Sequence, residues 1–195
     1  MNNQGKKYDL IATEFNNIRA KNFQEKSYLE RLTRELPEQA QILDIGCGMG
    51  EPIASYLIQR NFKLTGVDAS IELLKLAKDK CPAMHCIYAD MRTVVIANKY
   101  DAIIAWDSFF HLSKPEQKWM LVRFASWLNR KGILLFTSGD QNSEVLHTEM
   151  LGEKFSYYSL APETYKTYLK TLGFEVLLTE CDQAKHRIWL AKLLN

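Results

Sequence analysis

From about residue 40 to the C-terminus, short apolar runs alternate with stretches whose apolar residues recur every three or four positions. The short runs, at 41–47, 63–69, 84–91, 100–108, 132–139, 174–182 and 186–194, have strand length. Between them, Ile53, Leu57 and Ile58 mark one helix face, and Leu73, Leu74 and Ala77 the next. Leu121, Val122, Ala125 and Leu128 mark a third, and Tyr165, Leu169 and Leu172 a fourth. This alternation predicts an α/β layered sheet with right-handed crossovers. The rhythm changes at the end. Only Gln183-Ala184-Lys185 separates the last two runs, too little for a crossover helix, so they should form an antiparallel hairpin. Two helical segments, 8–19 and 23–36, precede the first strand, and Pro37 closes the second. Residues 140–160 interrupt the alternation after the fifth strand and predict a short hairpin or a flexible cover.

The first strand carries one acid and then breaks into glycines: Asp44-Ile45-Gly46-Cys47-Gly48-Met49-Gly50, followed by Glu51-Pro52 and an amphipathic segment. Pro52 suits the first turn of a helix. The order strand, glycine turn, helix brings bare backbone and helix N–H groups to one place, where a ligand can lie. The bland alternative is a glycine-rich turn with no ligand. Dinucleotide folds space these glycines G-x-G-x-x-G. Here the spacing is G-x-G-x-G, with the acid two residues ahead. In this respect the chain resembles the class I S-adenosylmethionine-dependent methyltransferases, whose first motif is E/D-x-G-x-G-x-G. The terminal hairpin is a second point of similarity.

The resemblance implies a Rossmann-like three-layer αβα sandwich. Its seven-stranded sheet would have the order 3-2-1-4-5-7-6, strand 7 antiparallel, in one domain spanning residues 1–195. It implies S-adenosylmethionine as cofactor and S-adenosylhomocysteine as product. Residues 1–40 become a helical extension across the cofactor cleft, or else a packing cap. Residues 140–160 become an insertion covering the acceptor side.

Asp68 ends the second strand, about 20 residues past the glycine turn, where an acid can accept from both ribose hydroxyls. The competing role is an N-cap, for which Ser70 is better placed. By family resemblance Asp90, at the end of the third strand, receives the adenine amino group, while Met91 and Ala69 sandwich the purine. The bland alternative is a loop acid bonding its own backbone. Asp44 orients the turn or reaches the cofactor's amino group through water; Gly46, Gly48 and Gly50 leave room for its methionine part, with Cys47 contacting it through the backbone. Arg19, with Tyr8, is the candidate for its carboxylate.

Trp106-Asp107-Ser108-Phe109-Phe110-His111-Leu112 follows the fourth strand and marks the reaction edge. Its aromatic faces, Trp106 first, suit a sulfonium cation. His111 and Asp107 are the candidate catalytic residues, His111 as proton acceptor; the alternatives are that Phe109 and Phe110 pack beneath the sheet and His111 caps a helix. Phe109, Phe110, His111, Tyr157 and Tyr158 are the candidate acceptor contacts. The chain lacks the Asn/Asp-Pro-Pro-Tyr tetrapeptide of amino-group DNA and protein methyltransferases and the Pro-Cys nucleophile of cytosine-C5 enzymes. Within the family this points to a small-molecule acceptor.

Composition narrows the picture further. At 195 residues and a formal net charge of +2, with scattered lysines, the chain shows no nucleic-acid footprint. It has no apolar run of membrane-spanning length, and Met1–Lys7 leads into no signal-peptide core. Cys47, Cys81, Cys86 and Cys181 form no C-x-x-C pair and no zinc pattern, so free thiols in the cytoplasm and no metal are expected. A monomer or homodimer is expected. Two other functions compete: a non-catalytic binder of S-adenosylmethionine or S-adenosylhomocysteine, with its acceptor side plugged by Trp106, Phe109 and Tyr157, and a nicotinamide oxidoreductase. The latter needs a different glycine spacing and a Tyr-x-x-x-Lys dyad that does not follow the fourth strand.

Overall fold

The computed structural model describes residues 4–19, 23–182 and 186–194. Met1–Asn3, with which the sequence opens, and the expected connection Gln183–Lys185 lie outside the described residues. Nine strands are described: β1 (Gln41–Ile45), β2 (Lys63–Asp68), β3 (His85–Tyr88), β4 (Tyr100–Ala105), β5 (Leu128–Gly139), β6 (Ser143–Met150), β7 (Glu153–Ser159), β8 (Phe174–Cys181) and β9 (His186–Leu193). The helices are α1 (Gln4–Arg19), α2 (Lys26–Arg34), α3 (Ile53–Ile58), α4 (Ile71–Lys80), α5 (Lys114–Trp127) and α6 (Pro162–Thr171), with a 3₁₀ turn at Phe109–His111.

Seven strands form one sheet in the order β3-β2-β1-β4-β5-β9-β8. Counting only sheet strands, this is the expected 3-2-1-4-5-7-6. β9 runs antiparallel to both β5 and β8, and the other pairings are parallel. Successive residues of β4 go to opposite faces: Ala102 and Ile104 join a cluster with Leu29, Leu57 and Leu74, while Ile103 and Ala105 join one with Phe124, Tyr165 and Leu169. Thus α2, α3 and α4 cover one face, α5 and α6 the other. A sheet covered on both sides explains why its central strands read as continuous apolar runs rather than alternating ones.

Except for β5, which ends with its apolar run and starts earlier at Leu128, the strands of this sheet are shorter at their C-terminal ends than the apolar runs suggest. Gly46, with φ +80, ends β1 by turning the chain. β3 stops at Tyr88, because Asp90 accepts from the backbone of Thr93 and Val94 in a loop turn. Residues 140–160 are a hairpin, β6 paired with β7. Its turn is Leu151-Gly152, both at positive φ, as a two-residue hairpin with the twist of its strands requires. β7 buries Phe155, Ser156 and Ser159 against the body, whereas most of β6 faces solvent. The sheet order reverses between β1 and β4, the place where open α/β sheets bind ligands beyond their strand ends.

Candidate cofactor and acceptor cavity

The glycine turn is closed at its ends and bare in its middle. A Cβ on Gly46 would stand 2.3 Å from the Ser108 Cβ, and one on Gly50 3.0 Å from the Cys81 Sγ. Ser108 is fixed there because its hydroxyl donates to the Ile45 carbonyl at 2.6 Å. A Cβ on Gly48 would meet only Leu73 Cδ1, at 4.0 Å. One glycine of the three therefore exposes backbone to open space; the other two make way for neighbouring side chains.

Asp68 ties this turn to the next element. Its Oδ2 accepts from the Gly48 N–H and its Oδ1 from the Ser70 N–H, both at 2.8 Å. Ser70 caps α4, accepting from the Leu73 N–H. The cap thus falls on Ser70, yet Asp68 is not free; each of its oxygens keeps a further lone pair. Asp9 of α1 joins the same cap, accepting from the Ser70 hydroxyl at 2.6 Å and the Glu72 N–H at 3.1 Å.

Beyond the strand ends lies a cavity of about 500 Å³. Asp44, Gly46, Cys47, Gly48, Asp68, Ala69, Asp90 and Met91 line it on one side; Trp106, Asp107, His111 and Tyr158 line it on the other. α1 contributes Gln4, Gly5, Tyr8, Phe15 and Arg19. Three expected acceptor contacts are not in this lining. Phe109 is wholly buried, packed against Phe124, Phe136 and Tyr165. It is a core residue because the 3₁₀ turn points it back under the sheet. Phe110 and Tyr157 stand one ring removed, tilted against each other, with Tyr157 tilted and Phe110 edge-on against His111.

Burial and charge set the protonation of this wall. Asp44 is almost fully buried and its Oδ2 has no partner among the described residues. Burial and the nearby Asp68 push its pKa up to about 7, against the pull of Arg19. Burial pushes Asp68 to about 6 despite the N–H groups that hold it. Asp90 goes the opposite way. Although burial opposes ionisation, the Arg92 guanidinium and backbone N–H keep it ionised below its usual range. Arg92 also reaches Glu116 at 3.3 Å. Arg123 fixes this loop by donating to the Met91 and Arg92 carbonyls, each at 2.8 Å.

His111 is held at both nitrogens. Its Nδ1 lies 3.0 Å from the Ser156 carbonyl, which can only accept, so Nδ1 carries the proton. Nε2, 3.1 Å from the Tyr8 hydroxyl, then accepts from it. Burial lowers the His111 pKa to about 4 and raises that of Tyr8. Asp107 adopts φ +48 at the tip of β4; its N–H donates to Thr137 Oγ1 at 2.8 Å. His186 Nδ1 stands 3.5 Å from its Oδ1.

Several residues of this site escape the sequence reading. Glu25 is buried and paired with Arg19; a polar helix-start residue gives no sign of that. Gly5, Asp9 and His186 are others. Gly5 gives no signal either, because the helix predicted over 8–19 starts at Gln4 and takes in a glycine that the sequence reading leaves outside it.

Comparison with known proteins accords with this architecture. Residues 42–132 match the profile of a family described as a methyltransferase domain. An uncharacterised methyltransferase of Alkaliphilus oremlandii is 28% identical over 138 residues, which make up 70% of this chain and 63% of that one. A putative methyltransferase of Bacillus subtilis, YqeM, is 36% identical over 109 residues, covering 52% of this chain and 43% of its own. The chain thus spans less than two thirds of these relatives' length. Among solved structures, the 1,6-didemethyltoxoflavin-N1-methyltransferase of Burkholderia thailandensis, with bound 1,6-didemethyltoxoflavin and S-adenosylhomocysteine, superposes with a TM-score of 0.77. The match has 13% identity and covers 98% of this chain and 88% of that one.

Proposed function

We propose that the chain is a class I S-adenosylmethionine-dependent methyltransferase, which transfers the methyl group of S-adenosylmethionine to a small-molecule acceptor by in-line displacement. One observation carries this reading: a single cavity runs from the glycine turn, Asp68 and Asp90 to Trp106, Asp107, His111 and Tyr158. Cofactor and acceptor ends therefore share one space. Of the three residues that could plug the acceptor side, Tyr157 and Phe109 stay out of it and Trp106 forms part of its wall, which favours transfer over a plugged, binding-only protein.

The residues present fit the cofactor. The bare face of Gly48 offers backbone, and the unpartnered Asp44 Oδ2 offers a buried acceptor for an ammonium group. Asp68 would take the ribose hydroxyls on its remaining lone pairs. Asp90, with Arg92 beside it, would take the adenine amino group, between Met91 and Ala69. Arg19 would exchange part of its bond to Glu25 for the cofactor's carboxylate, with Tyr8 and Cys47 on either side of the methionine part. When bound, S-adenosylmethionine supplies a methyl group already activated by its sulfonium sulfur.

The protein's own share is alignment and exclusion of water, which in the best intramolecular cases lowers a barrier by ~7–11 kcal/mol. Trp106 would lay an aromatic face beside the cation. His111, tied at both nitrogens, positions Tyr8 and the hairpin, and this leaves Asp107 as the ionisable group facing the acceptor. We read α1 and α2 (within residues 1–40) and the hairpin of 140–160 as covers over the same single domain.

Thermal-shift and calorimetric titrations with S-adenosylhomocysteine, S-adenosylmethionine and NAD test the proposal. The first two should stabilise the protein and NAD should not. Asp68→Asn should weaken S-adenosylhomocysteine binding about tenfold or more, the loss of a charge-assisted hydrogen bond. Stabilisation by NAD alone overturns the assignment.

A further inference from the structure

The cavity wall is lopsided in charge. Its carboxylates are Asp44, Glu51, Asp68, Asp90, Asp107 and Glu116; its guanidinium groups, among the described residues, are Arg19 and Arg92. Both cations are already committed, Arg92 to Asp90 and Glu116, Arg19 to Glu25. The proposed cofactor brings a carboxylate of its own, and Arg19 is the group that would meet it. No described cation in the lining remains for an anionic acceptor.

Asp107 is the carboxylate at the acceptor end. Its Oδ1 accepts from Thr137 Oγ1 at 3.2 Å and is the oxygen that His186 Nδ1 approaches. Its Oδ2 has no hydrogen-bond partner among the described residues, and the side chain is 36% exposed, on the cavity wall. The left-handed backbone at Asp107 and the bond from its own N–H to Thr137 fix where that oxygen points. Trp106, His111 and Tyr158 give the same cavity flat surfaces.

We propose, resting on the methyltransferase reading above, that the acceptor is an amine on a compact, flat frame, and that Asp107 Oδ2 receives its N–H. An amine suits this wall in two ways. Its positive or partly positive N–H group meets the open oxygen of Asp107, where a carboxylate would meet like charge. It also needs no strong base, whereas an aliphatic hydroxyl would need a base far stronger than a carboxylate. In the reaction the nitrogen lone pair forms the new C–N bond as the C–S bond breaks. The bonding pair stays on sulfur, which passes from sulfonium to thioether. The nitrogen is left with the positive charge and one proton too many; that proton passes to Asp107 Oδ2 and then to solvent. An amine arriving as ammonium first gives up a proton by the same route.

Benzylamine, benzyl alcohol and benzoate form a matched set that differs only in the head group. Each is titrated by ligand-observed NMR into the full chain saturated with S-adenosylhomocysteine. Benzylamine should bind about tenfold or more tightly than the other two, and Asp107→Asn should erase the difference. Asparagine tolerates the left-handed conformation, so this variant keeps the local fold. Its unchanged affinity for S-adenosylhomocysteine confirms that. An equal or reversed ranking, or a ranking that Asp107→Asn leaves intact, overturns the amine proposal while the cofactor reading stands. Failure of the unsubstituted protein to bind S-adenosylhomocysteine takes down both.

Discussion

Asp44 is a carboxylate held where water does not reach, with one oxygen unpartnered among the described residues. In the folded protein its pKa is about 7, against an ordinary value of 3.8. The fold therefore penalises the ionised form. That penalty is fully present above pH 7, shrinks as pH falls, and vanishes near pH 4, where the unfolded chain is protonated too. Asp44→Asn removes it without changing shape. Chemical denaturation of the ligand-free protein should show the variant more stable at pH 8, on the order of 2–4 kcal/mol, and equal to the parent near pH 4. The same variant should bind S-adenosylmethionine more weakly if Asp44 receives the ammonium group. A variant of unchanged stability at pH 8 would show that Asp44 is solvated after all. Asp68, pushed up to about 6, adds to the same trend.

α1 is the element on which the cavity's outer wall depends. It stays out of the two large core clusters and shares with Met49 and Leu73 only a small one. Its hold is polar and steric instead: Asp9 in the α4 cap, Tyr8 on His111, and Gly5 against Ala69. A Cβ on Gly5 would lie 2.2 Å from the Ala69 carbonyl oxygen, so any larger residue must lift the helix. Gly5→Val should lower S-adenosylhomocysteine affinity about tenfold or more. Because the sheet and its helices pack without α1, the variant should unfold cooperatively at close to the parent midpoint. A collapse of the midpoint in denaturant would instead make α1 part of the core. The sequence predicts a helix over 8–19, but neither its first turn from Gln4 nor what it rests on. Gly5 lies 64 residues from Ala69, and no local pattern carries that contact.

At the scale of the whole molecule, the sheet is legible because burial on both faces writes itself into each strand as an apolar run. The antiparallel end is legible because three residues cannot carry a crossover. The glycine turn and the acids at the tips of β2 and β3 are legible because their positions follow from the strand ends. What is hidden is pairing between distant segments. Asp9 with Ser70, Tyr8 with His111 and Asp107 with His186 all depend on how separate elements meet above the sheet. Phe109 and Phe110 are adjacent and chemically identical, yet only Phe109 is wholly buried in the core, a choice made by a single 3₁₀ turn. The same architecture distributes the four indoles unequally. Trp119 and Trp127 flank the Arg123 guanidinium and Trp189 is stacked on Phe136 in the core, while Trp106 alone belongs to the cavity wall, beside Tyr28. The protein thus carries its own optical gauge: fluorescence excited at the indole band should change as S-adenosylhomocysteine fills the crevice, and Trp106→Phe should leave the remaining emission blind to it.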